Sequence, residues 1–259
     1  MTVDHYAGAA KRWAEGATIV YRPIAHDLLA ASPHRLTGRT VVDAGAGTGV
    51  VSDRLSELGA RPVAIDMSHD MMAWNAVRRP PAAVADVNRL PLHDGAVDDM
   101  VAAFVFNHVT QPEAAIAEAA RVIRPGGALL ARVYSNSSRS EVRDALDLAQ
   151  QSEGWRAPKW YVQLKQSAAR LLGSAENMAA TASAAGLAEV TVDECAVEVG
   201  VTKADQLVDY RLGQAQFAAW LATFDPRAAL EMRDRLVESI RPIMQPYRPI
   251  VVFLAAQVR

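Results

Sequence analysis

Three closely spaced glycines follow an apolar stretch and could hold a charged, flexible ligand. Gly45, Gly47 and Gly49 come directly after residues 41–44, and glycine lets the backbone approach a ligand closely. A second apolar stretch ends on Asp66, whose carboxylate can bind the two hydroxyl groups of a ribose. A glycine turn paired with such a carboxylate predicts a site for an adenosine-containing ligand.

The spacing of the glycines distinguishes between adenosine ligands. The dinucleotide fingerprint G-x-G-x-x-G requires glycine at the position of Val50, whereas the third glycine here is Gly49. Asp43 stands two residues before the first glycine, where its charge would repel the phosphates of a dinucleotide. A cationic ligand of the methionine type meets no such repulsion. An NAD-dependent oxidoreductase is therefore disfavoured.

Alternating strands and helices are predicted to position these residues. The alternation predicts right-handed crossovers and an α/β fold, namely a Rossmann-like, mostly parallel seven-stranded sheet with helices on both faces and helical cap insertions. Ligands of such sheets bind at the carboxyl ends of the strands, where we expect Asp43, Asp66 and Asp86 to gather. The strands are predicted at residues 41–44, 62–66, 82–85, 97–105, 128–134, 187–199 and 250–257.

Prolines and glycines predict where helices are interrupted, begin and end. One or two helices are expected over residues 5–31, with an interruption near Pro23, because proline cannot complete the hydrogen bonds of a helix interior. A later helix should begin at Pro112, since proline suits the first turn. Pro125-Gly126-Gly127 is expected to end that helix before the next strand.

Composition excludes several kinds of partner and site. The net charge of −2 gives no support to a nucleic-acid partner, which favours a basic domain. The single cysteine, Cys195, excludes a disulfide framework within the chain and a Cys-x-x-Cys metal site, and we predict no metal. The sequence starts without the pattern of a secretory signal, and its longest apolar run, 250–256, is too short to span a bilayer. We expect a cytoplasmic protein with no membrane partner, and a homo-oligomer stays open.

Five segments together resemble the class I S-adenosylmethionine-dependent methyltransferases. Residues 43–49 look like the first motif of that family, and Asp66-Met67-Ser68 is similar to the second. Similarities at residues 86–87, 104–108 and 121–127 indicate the methyltransferase type 11 group, which is related to the enzymes of ubiquinone and menaquinone biosynthesis. The resemblance implies S-adenosyl-L-methionine as the cofactor. The residues that it implies in cofactor binding are Asp43, Ala44, Gly45, Gly47, Gly49, Asp66, Met67, Met71, Asp86, Val87 and Phe104.

The same resemblance, with the change of pattern after residue 134, predicts how the chain is organised. We expect a single methyltransferase domain over residues 1–259. Within it, a helical cover over 1–37 precedes a cofactor-binding core over 38–135. The segments 136–185 and 203–246 are polar and helix-prone, and we expect them to be insertions that cap the active site.

Candidate catalytic and acceptor-binding residues follow from the expected geometry of methyl transfer. Holding a nucleophile in line with the methyl group can supply roughly 7–11 kcal/mol, so that a general base is optional. His108, after the fourth strand, is the candidate base; otherwise it orders its loop. Met71 either contacts the adenine or packs in the core. The aromatic residues expected to line the acceptor pocket, or else to pack in the core, are Tyr6, Tyr21, Tyr134, Trp155 and Trp160.

Two functions are compatible with these residues. The preferred one is transfer of a methyl group to an oxygen, nitrogen or carbon nucleophile of a small molecule, such as an aromatic secondary metabolite. Residues 104–107 lack the Asn/Asp-Pro-Pro-Tyr pattern of enzymes that methylate amide or base nitrogens, which argues against DNA as a substrate. The alternative is a protein of the same fold that binds S-adenosylmethionine without transferring its methyl group, in a cyclase-type or scaffold role.

Overall fold

The centre of the molecule is a seven-stranded sheet. The structure is a computed structural model that describes residues 4–259, so the first three residues of the predicted 1–37 cover lie outside the described part. The strand order is β3-β2-β1-β4-β5-β7-β6, and β7 runs antiparallel to both of its neighbours. The predicted mostly parallel α/β sheet is therefore confirmed. The strands are β1 (Thr40–Ala44), β2 (Arg61–Asp66), β3 (Ala82–Val84), β4 (Val97–Ala103), β5 (Ile123–Tyr134), β6 (Ala188–Ala196) and β7 (Ile250–Gln257).

Helices lie on both faces of this sheet. Alternate residues of a strand point to opposite faces, and the core follows that rule. Val41 and Leu130 pack against α1 and α2, whereas their neighbours Val42 and Leu129 pack against α4 and α8. The helices are α1 (Thr18–Ala30), α2 (Val50–Glu57), α3 (His69–Ala73), α4 (Pro112–Val122), α5 (Glu141–Ser152), α6 (Lys159–Gln166), α7 (Ala168–Leu172), α8 (Ala175–Ala184), α9 (Ala204–Leu212), α10 (Ala218–Leu221) and α11 (Pro226–Ile240).

A second hydrophobic core lies among the helices of the two predicted insertions. Leu146 of α5, Leu207 of α9 and Leu236 of α11 are each at most 1% exposed and belong to this core. Helices α7 and α8 also fall within residues 136–185, but Leu172 of α7 and Met178 of α8 pack in the core of the sheet. The part of the first insertion that lies away from the sheet therefore ends before α7. None of the helices described between residues 4 and 259 has the length and apolar character that a membrane crossing requires.

The N-terminal helical region does not break at Pro23, contrary to the prediction. Ala10–Arg12 and a π-helix over Trp13–Ala17 lead directly into α1, which contains Pro23. Proline inside a helix costs about 3 kcal/mol. Here Val20 and Ile24 on either side of it are fully buried, and this packing holds the helix together.

The predicted end of the helix at Pro125-Gly126-Gly127 is also wrong. Helix α4 ends earlier, at Val122, and the Pro-Gly-Gly sequence lies inside β5. Its second glycine allows β5 to approach β4 closely, because a Cβ on Gly127 would lie only 2.1 Å from the carbonyl oxygen of Asp98. The sequence therefore marks a close strand contact.

Candidate active site

The glycine turn at the end of β1 adopts a backbone that few other residues tolerate. Gly45, Gly47 and Gly49 have φ values of +67°, +52° and +103°, in the left-handed region that favours glycine. The N–H of Gly45 donates to the carbonyl oxygen of Ile65 at 2.8 Å, which ties the turn to β2. A Cβ on Gly45 would lie 2.7 Å from the Cβ of Val105. The turn therefore depends on glycine for both conformation and space.

Asp66 lies beside this turn, at the end of β2. One carboxylate oxygen accepts a hydrogen bond from the N–H of Gly47 and the other accepts one from the N–H of Ser68, both at 2.8 Å. Ser68 in turn caps α3 by accepting from the N–H of Met71. Burial raises the pKa of Asp66. Because an ionised carboxylate has about four acceptor positions, each of its oxygens can still accept a ligand hydroxyl.

A single cleft brings most of the predicted site residues together. It encloses about 1270 Å³ of empty space, the open solvent at its mouth included. The predicted residues that line it are Gly45, Gly47, Asp66, Met67, Met71, Asp86, Val87, Phe104, His108, Tyr6, Tyr21 and Trp160.

The charge of the cleft suits a cationic adenosine ligand. Its lining includes the carboxylates of Asp66 and Asp86 but, among the described residues, no lysine or arginine. The Arg79 guanidinium donates to the carbonyl oxygens of Gly47 and Met71 and lies outside the lining. The phosphates of a dinucleotide would therefore face these carboxylates without a cationic side chain in the cleft, whereas a sulfonium would be attracted to them. Met67 lines the cleft and is 41% exposed, so its side chain is accessible to an adenine ring. These residues therefore fit S-adenosylmethionine.

Three predicted cofactor residues lie outside the lining of the cleft. Asp43 is buried, and its carboxylate accepts a hydrogen bond from Oγ of Ser52 at 2.6 Å. Burial raises the pKa of Asp43 to about 7. Ala44 is buried in β1, and Gly49 is the N-cap of α2. These three residues support the turn, and their positions do not favour direct contact with a ligand.

Two predicted pocket residues also fall outside the cleft, because the cap packs around them. Trp155 is 5% exposed and stacks on Phe217 at 4.6 Å between ring centroids, in the core of the cap. The prediction that Trp155 lines the pocket is therefore corrected. Tyr134 packs against Phe104, with ring centroids 4.6 Å apart, and its hydroxyl contacts that of Tyr210 at 2.9 Å.

Phe104 lines the cleft in a strained backbone conformation. Its φ of +60° is unusual for a bulky residue. Its N–H donates to the carbonyl oxygen of Arg132 at 2.7 Å, and its ring meets Tyr21 edge-on at 5.2 Å. Strain of this kind persists only where the surroundings hold it, as at many functional sites.

Tyr6 and His108 form a hydrogen-bonded pair that lines the cleft, and the Tyr6 ring lies 5.7 Å from the ring of Trp13. The hydroxyl of Tyr6 and Nδ1 of His108 are 2.8 Å apart, and His108 belongs to the 3₁₀ turn Phe106–His108. Burial, with a smaller contribution from Lys165, lowers the pKa of His108 to about 4. His108 is therefore neutral near pH 7 and a weak proton acceptor.

The segment that carries Tyr6 is attached to α3 and its cap. Oγ of Ser68 donates to the Asp4 carboxylate at 2.9 Å, and the N–H of Gly8 donates to the Asp70 carboxylate at 3.0 Å. This attachment holds the N-terminal residues over the cofactor side of the cleft.

Several lining residues were missed by the sequence reasoning. His5 stacks on Trp160 with ring centroids 4.7 Å apart, and Trp13 stacks on Tyr21 at 4.8 Å. A signal for Trp13 was available, because Tyr6, Trp13 and Tyr21 recur every seven or eight residues, which is about two helical turns. No group of three or more His, Cys, Asp or Glu side chains between residues 4 and 259 is arranged to hold a metal ion.

Known proteins match the cofactor-binding part of the chain. Residues 42–131 match the family model described as a methyltransferase domain. The demethylmenaquinone methyltransferase of Mycolicibacterium paratuberculosis is 41% identical over 101 residues, which make up 39% of this chain and 44% of that protein. The match thus spans less than half the length of this curated relative.

Solved structures share the fold over most of the chain. Phosphoethanolamine N-methyltransferase 2 of Haemonchus contortus, in complex with phosphomonomethylethanolamine and S-adenosylhomocysteine, is 18% identical with a TM-score of 0.55, over 92% of this chain and 52% of that one. The 4+2 cyclase SpnF is 18% identical with a TM-score of 0.58, over 92% of this chain and 81% of its own. At such low sequence identities, the structural similarity shows the fold alone. Residues 42–131 are thus a methyltransferase domain, in a chain that has the fold of the class I S-adenosylmethionine-dependent methyltransferases.

Proposed function

We propose that this protein transfers a methyl group from S-adenosylmethionine to an oxygen, nitrogen or carbon nucleophile of a small aromatic molecule. The observation that carries the proposal is one cleft with two chemically different halves. One half has the glycine turn and two carboxylates without a lysine or arginine, and the other half is aromatic. A cationic cofactor and a planar acceptor would meet between them. The net charge of −2 gives no support to a nucleic-acid partner, and the proposal places the small-molecule reaction in the cytoplasm.

In the cofactor half, each side chain has a defined task. The free acceptor positions of Asp66 would bind the ribose hydroxyls, and Met67, Asp86 and Val87 would hold the adenine. The methionine part would lie along the glycine turn, where the space beside Gly47 is open. When bound, the cofactor supplies an electrophilic methyl group on a sulfonium.

In the acceptor half, the protein contributes chiefly positioning. Trp13, Tyr21 and Phe104 form a wall against which a flat ring can stack. Aromatic faces also tolerate a nearby sulfonium through cation–π attraction. His108 is neutral and bonded to Tyr6, so the pair orients an acceptor by hydrogen bonding and removes a proton poorly. Catalysis would then rest on geometry, which can supply roughly 7–11 kcal/mol.

The test begins with calorimetric titration of S-adenosylmethionine, S-adenosylhomocysteine and NADH. We expect the first two to bind and NADH to fail. Mass spectrometry should then detect one added methyl group on an aromatic acceptor. A reduced naphthoquinone with a free ring position comes first in the panel, because the relative from Mycolicibacterium paratuberculosis is a demethylmenaquinone methyltransferase.

The outcomes separate the candidate functions. NADH binding would contradict the proposal. Binding of S-adenosylmethionine without transfer to any acceptor of the panel would support the alternative, a protein that uses the cofactor without giving up its methyl group. Transfer to an aliphatic amine but not to a ring compound would contradict the aromatic acceptor alone.

A further inference from the structure

A buried hydrogen-bond network joins the cap to one wall of the cleft. At its centre, Oε1 of Gln214 accepts hydrogen bonds from Nη1 of Arg211 and, at 3.0 Å, from Nε2 of Gln216. Because a guanidinium has donors and no acceptor, this contact fixes the orientation of the Gln214 amide. Its Nε2 consequently donates to the hydroxyl oxygens of Tyr21 and Tyr210, each at 3.2 Å.

The three tyrosines of this network, Tyr21, Tyr134 and Tyr210, have more O–H donors than hydroxyl–hydroxyl contacts in which to use them. The hydroxyl oxygens of Tyr134 and Tyr210 are 2.9 Å apart, so one proton serves that contact. Among the described residues, the Tyr21 hydroxyl makes no side-chain hydrogen bond besides the one that it accepts from Gln214. The three hydroxyl protons therefore share a single hydroxyl–hydroxyl contact. At least one O–H donor is left over, and a buried donor without a partner is costly.

The guanidinium groups of the network keep unpaired donors. Arg211 is 5% exposed and pairs with Asp147. Arg143 pairs with Asp144 at 3.7 Å. The Nε of each arginine is buried without a partner among residues 4–259, so an acceptor oxygen suits this region better than a further donor. Burial raises the pKa of Tyr21 and Tyr210, so both hydroxyls stay protonated and act as donors.

Tyr21 is the member of this network that lines the cleft. Its ring stacks on Trp13 at 4.8 Å and therefore has a fixed plane. We propose that Tyr21, oriented by Gln214 and Arg211, donates a hydrogen bond to an oxygen of the methyl acceptor, and that the acceptor is a planar phenol or enol bound through that oxygen. This inference rests on the proposed methyl transfer and names its substrate class. Gln214 and Arg211 act as positioning residues.

Two variants test the donor without enlarging any side chain. Tyr21→Phe removes the hydroxyl. Gln214→Glu keeps the contact with Arg211 but replaces the amide donor with an acceptor, so that the proton of Tyr21 is used inside the network. Tyr161→Phe is the matched control, because Tyr161 stands beside Trp160 and makes no side-chain hydrogen bond to the network.

The probes are 4-nitrophenol and nitrobenzene, titrated into the protein saturated with S-adenosylhomocysteine. They differ by the oxygen that Tyr21 should bind. We expect 4-nitrophenol to bind roughly tenfold to hundredfold more tightly, the range of a hydrogen bond to a charged group. Tyr21→Phe and Gln214→Glu should abolish this preference, and Tyr161→Phe should retain it. The phenolate absorption band should also grow on binding, and the two variants should lose that growth.

Failure of this inference differs from failure of the proposed function. If S-adenosylhomocysteine itself does not bind, methyl transfer is contradicted. If it binds but the two probes show equal affinity, including no measurable binding of either, the inference alone is overturned. A preference that survives Tyr21→Phe would also overturn it, because another donor would then hold the oxygen.

Discussion

Gly45→Ala is expected to disable the cofactor turn through contact with Val105. A Cβ built on Gly45 would lie 2.7 Å from the Cβ and 2.8 Å from Cγ2 of Val105. The left-handed backbone costs an alanine about 1–2 kcal/mol, and an overpacked contact in a dense interior costs about 1–3 kcal/mol. The free energy of unfolding should therefore fall by about 2–5 kcal/mol.

Gly47→Ala is the matched control for the backbone cost. Gly47 also has a positive φ, of +52°, but the nearest atom to its built Cβ is the carbonyl oxygen of Gly45 at 3.9 Å. Gly47→Ala should therefore cost only about 1–2 kcal/mol. Urea unfolding of both variants gives the difference, which measures the contact with Val105. Calorimetry should show that Gly45→Ala loses affinity for S-adenosylhomocysteine, because Gly45 and Val105 both line the cleft.

A double variant isolates the steric contact. Val105→Gly removes the whole side chain that the new Cβ would meet, so Gly45→Ala should cost less in that background. The coupling free energy should reach about 1–3 kcal/mol. The steric reasoning is refuted if Gly45→Ala is as stable as Gly47→Ala, or if the cycle shows no coupling.

Asp66→Asn should weaken the binding of S-adenosylhomocysteine roughly tenfold or more, because the amide replaces a charged acceptor that also holds the N–H of Gly47; unchanged calorimetric affinity would exclude the ribose contact. Since burial lowers the pKa of His108 to about 4, the rate of methyl transfer should show no ionisation of this residue between about pH 6 and 8, and a limb in that range that disappears in His108→Asn would contradict the neutral pair. Burial raises the pKa of Asp43 from 3.8 to about 7, so between these values the folded state keeps a proton that the unfolded state has lost. The free energy of unfolding should then fall as pH rises through that window, by up to about 1.4 kcal/mol per pH unit relative to Asp43→Asn; a difference between the two proteins that does not change with pH in urea unfolding would be evidence against this.

The cofactor half of the site could be predicted from sequence because it depends on local patterns. The glycines follow β1 directly, and Asp66 ends the next strand, so sheet topology alone brings them together. Ser68 stands directly before α3, and its side chain caps that helix by accepting from the N–H of Met71. At each of these positions the local backbone favours a particular residue type, which a sequence pattern can reveal.

The acceptor half could not be predicted in the same way, because distant segments build it. Tyr6 and His108 are 102 residues apart in sequence, and Tyr21 and Gln214 are 193 apart. No spacing rule relates such pairs. Trp155 carries the same aromatic signal as Trp160, yet only Trp160 lines the cleft, since the packing of the cap decides which ring remains accessible.

Pro23 shows the same limit for secondary structure. Its local preference against a helix interior is real, but the full burial of its helical neighbours Val20 and Ile24 outweighs it. Propensity is a weak prior wherever tertiary packing competes with it.

The junction between the N-terminal helix and the cap determines where the acceptor half lies. The two backbones pack closely there. A Cβ on Gly16 would lie 2.3 Å from the carbonyl oxygen of Asp209, and one on Gly213 would lie 2.6 Å from the backbone nitrogen of Ala17 in the π-helix. This contact fixes Tyr21 relative to Gln214, the residue after Gly213. The cofactor half, in contrast, is held by β1, β2 and the glycine turn that follows β1. Substitutions in the cap can therefore alter which acceptor is bound while the glycine turn and its partner carboxylate stay unchanged.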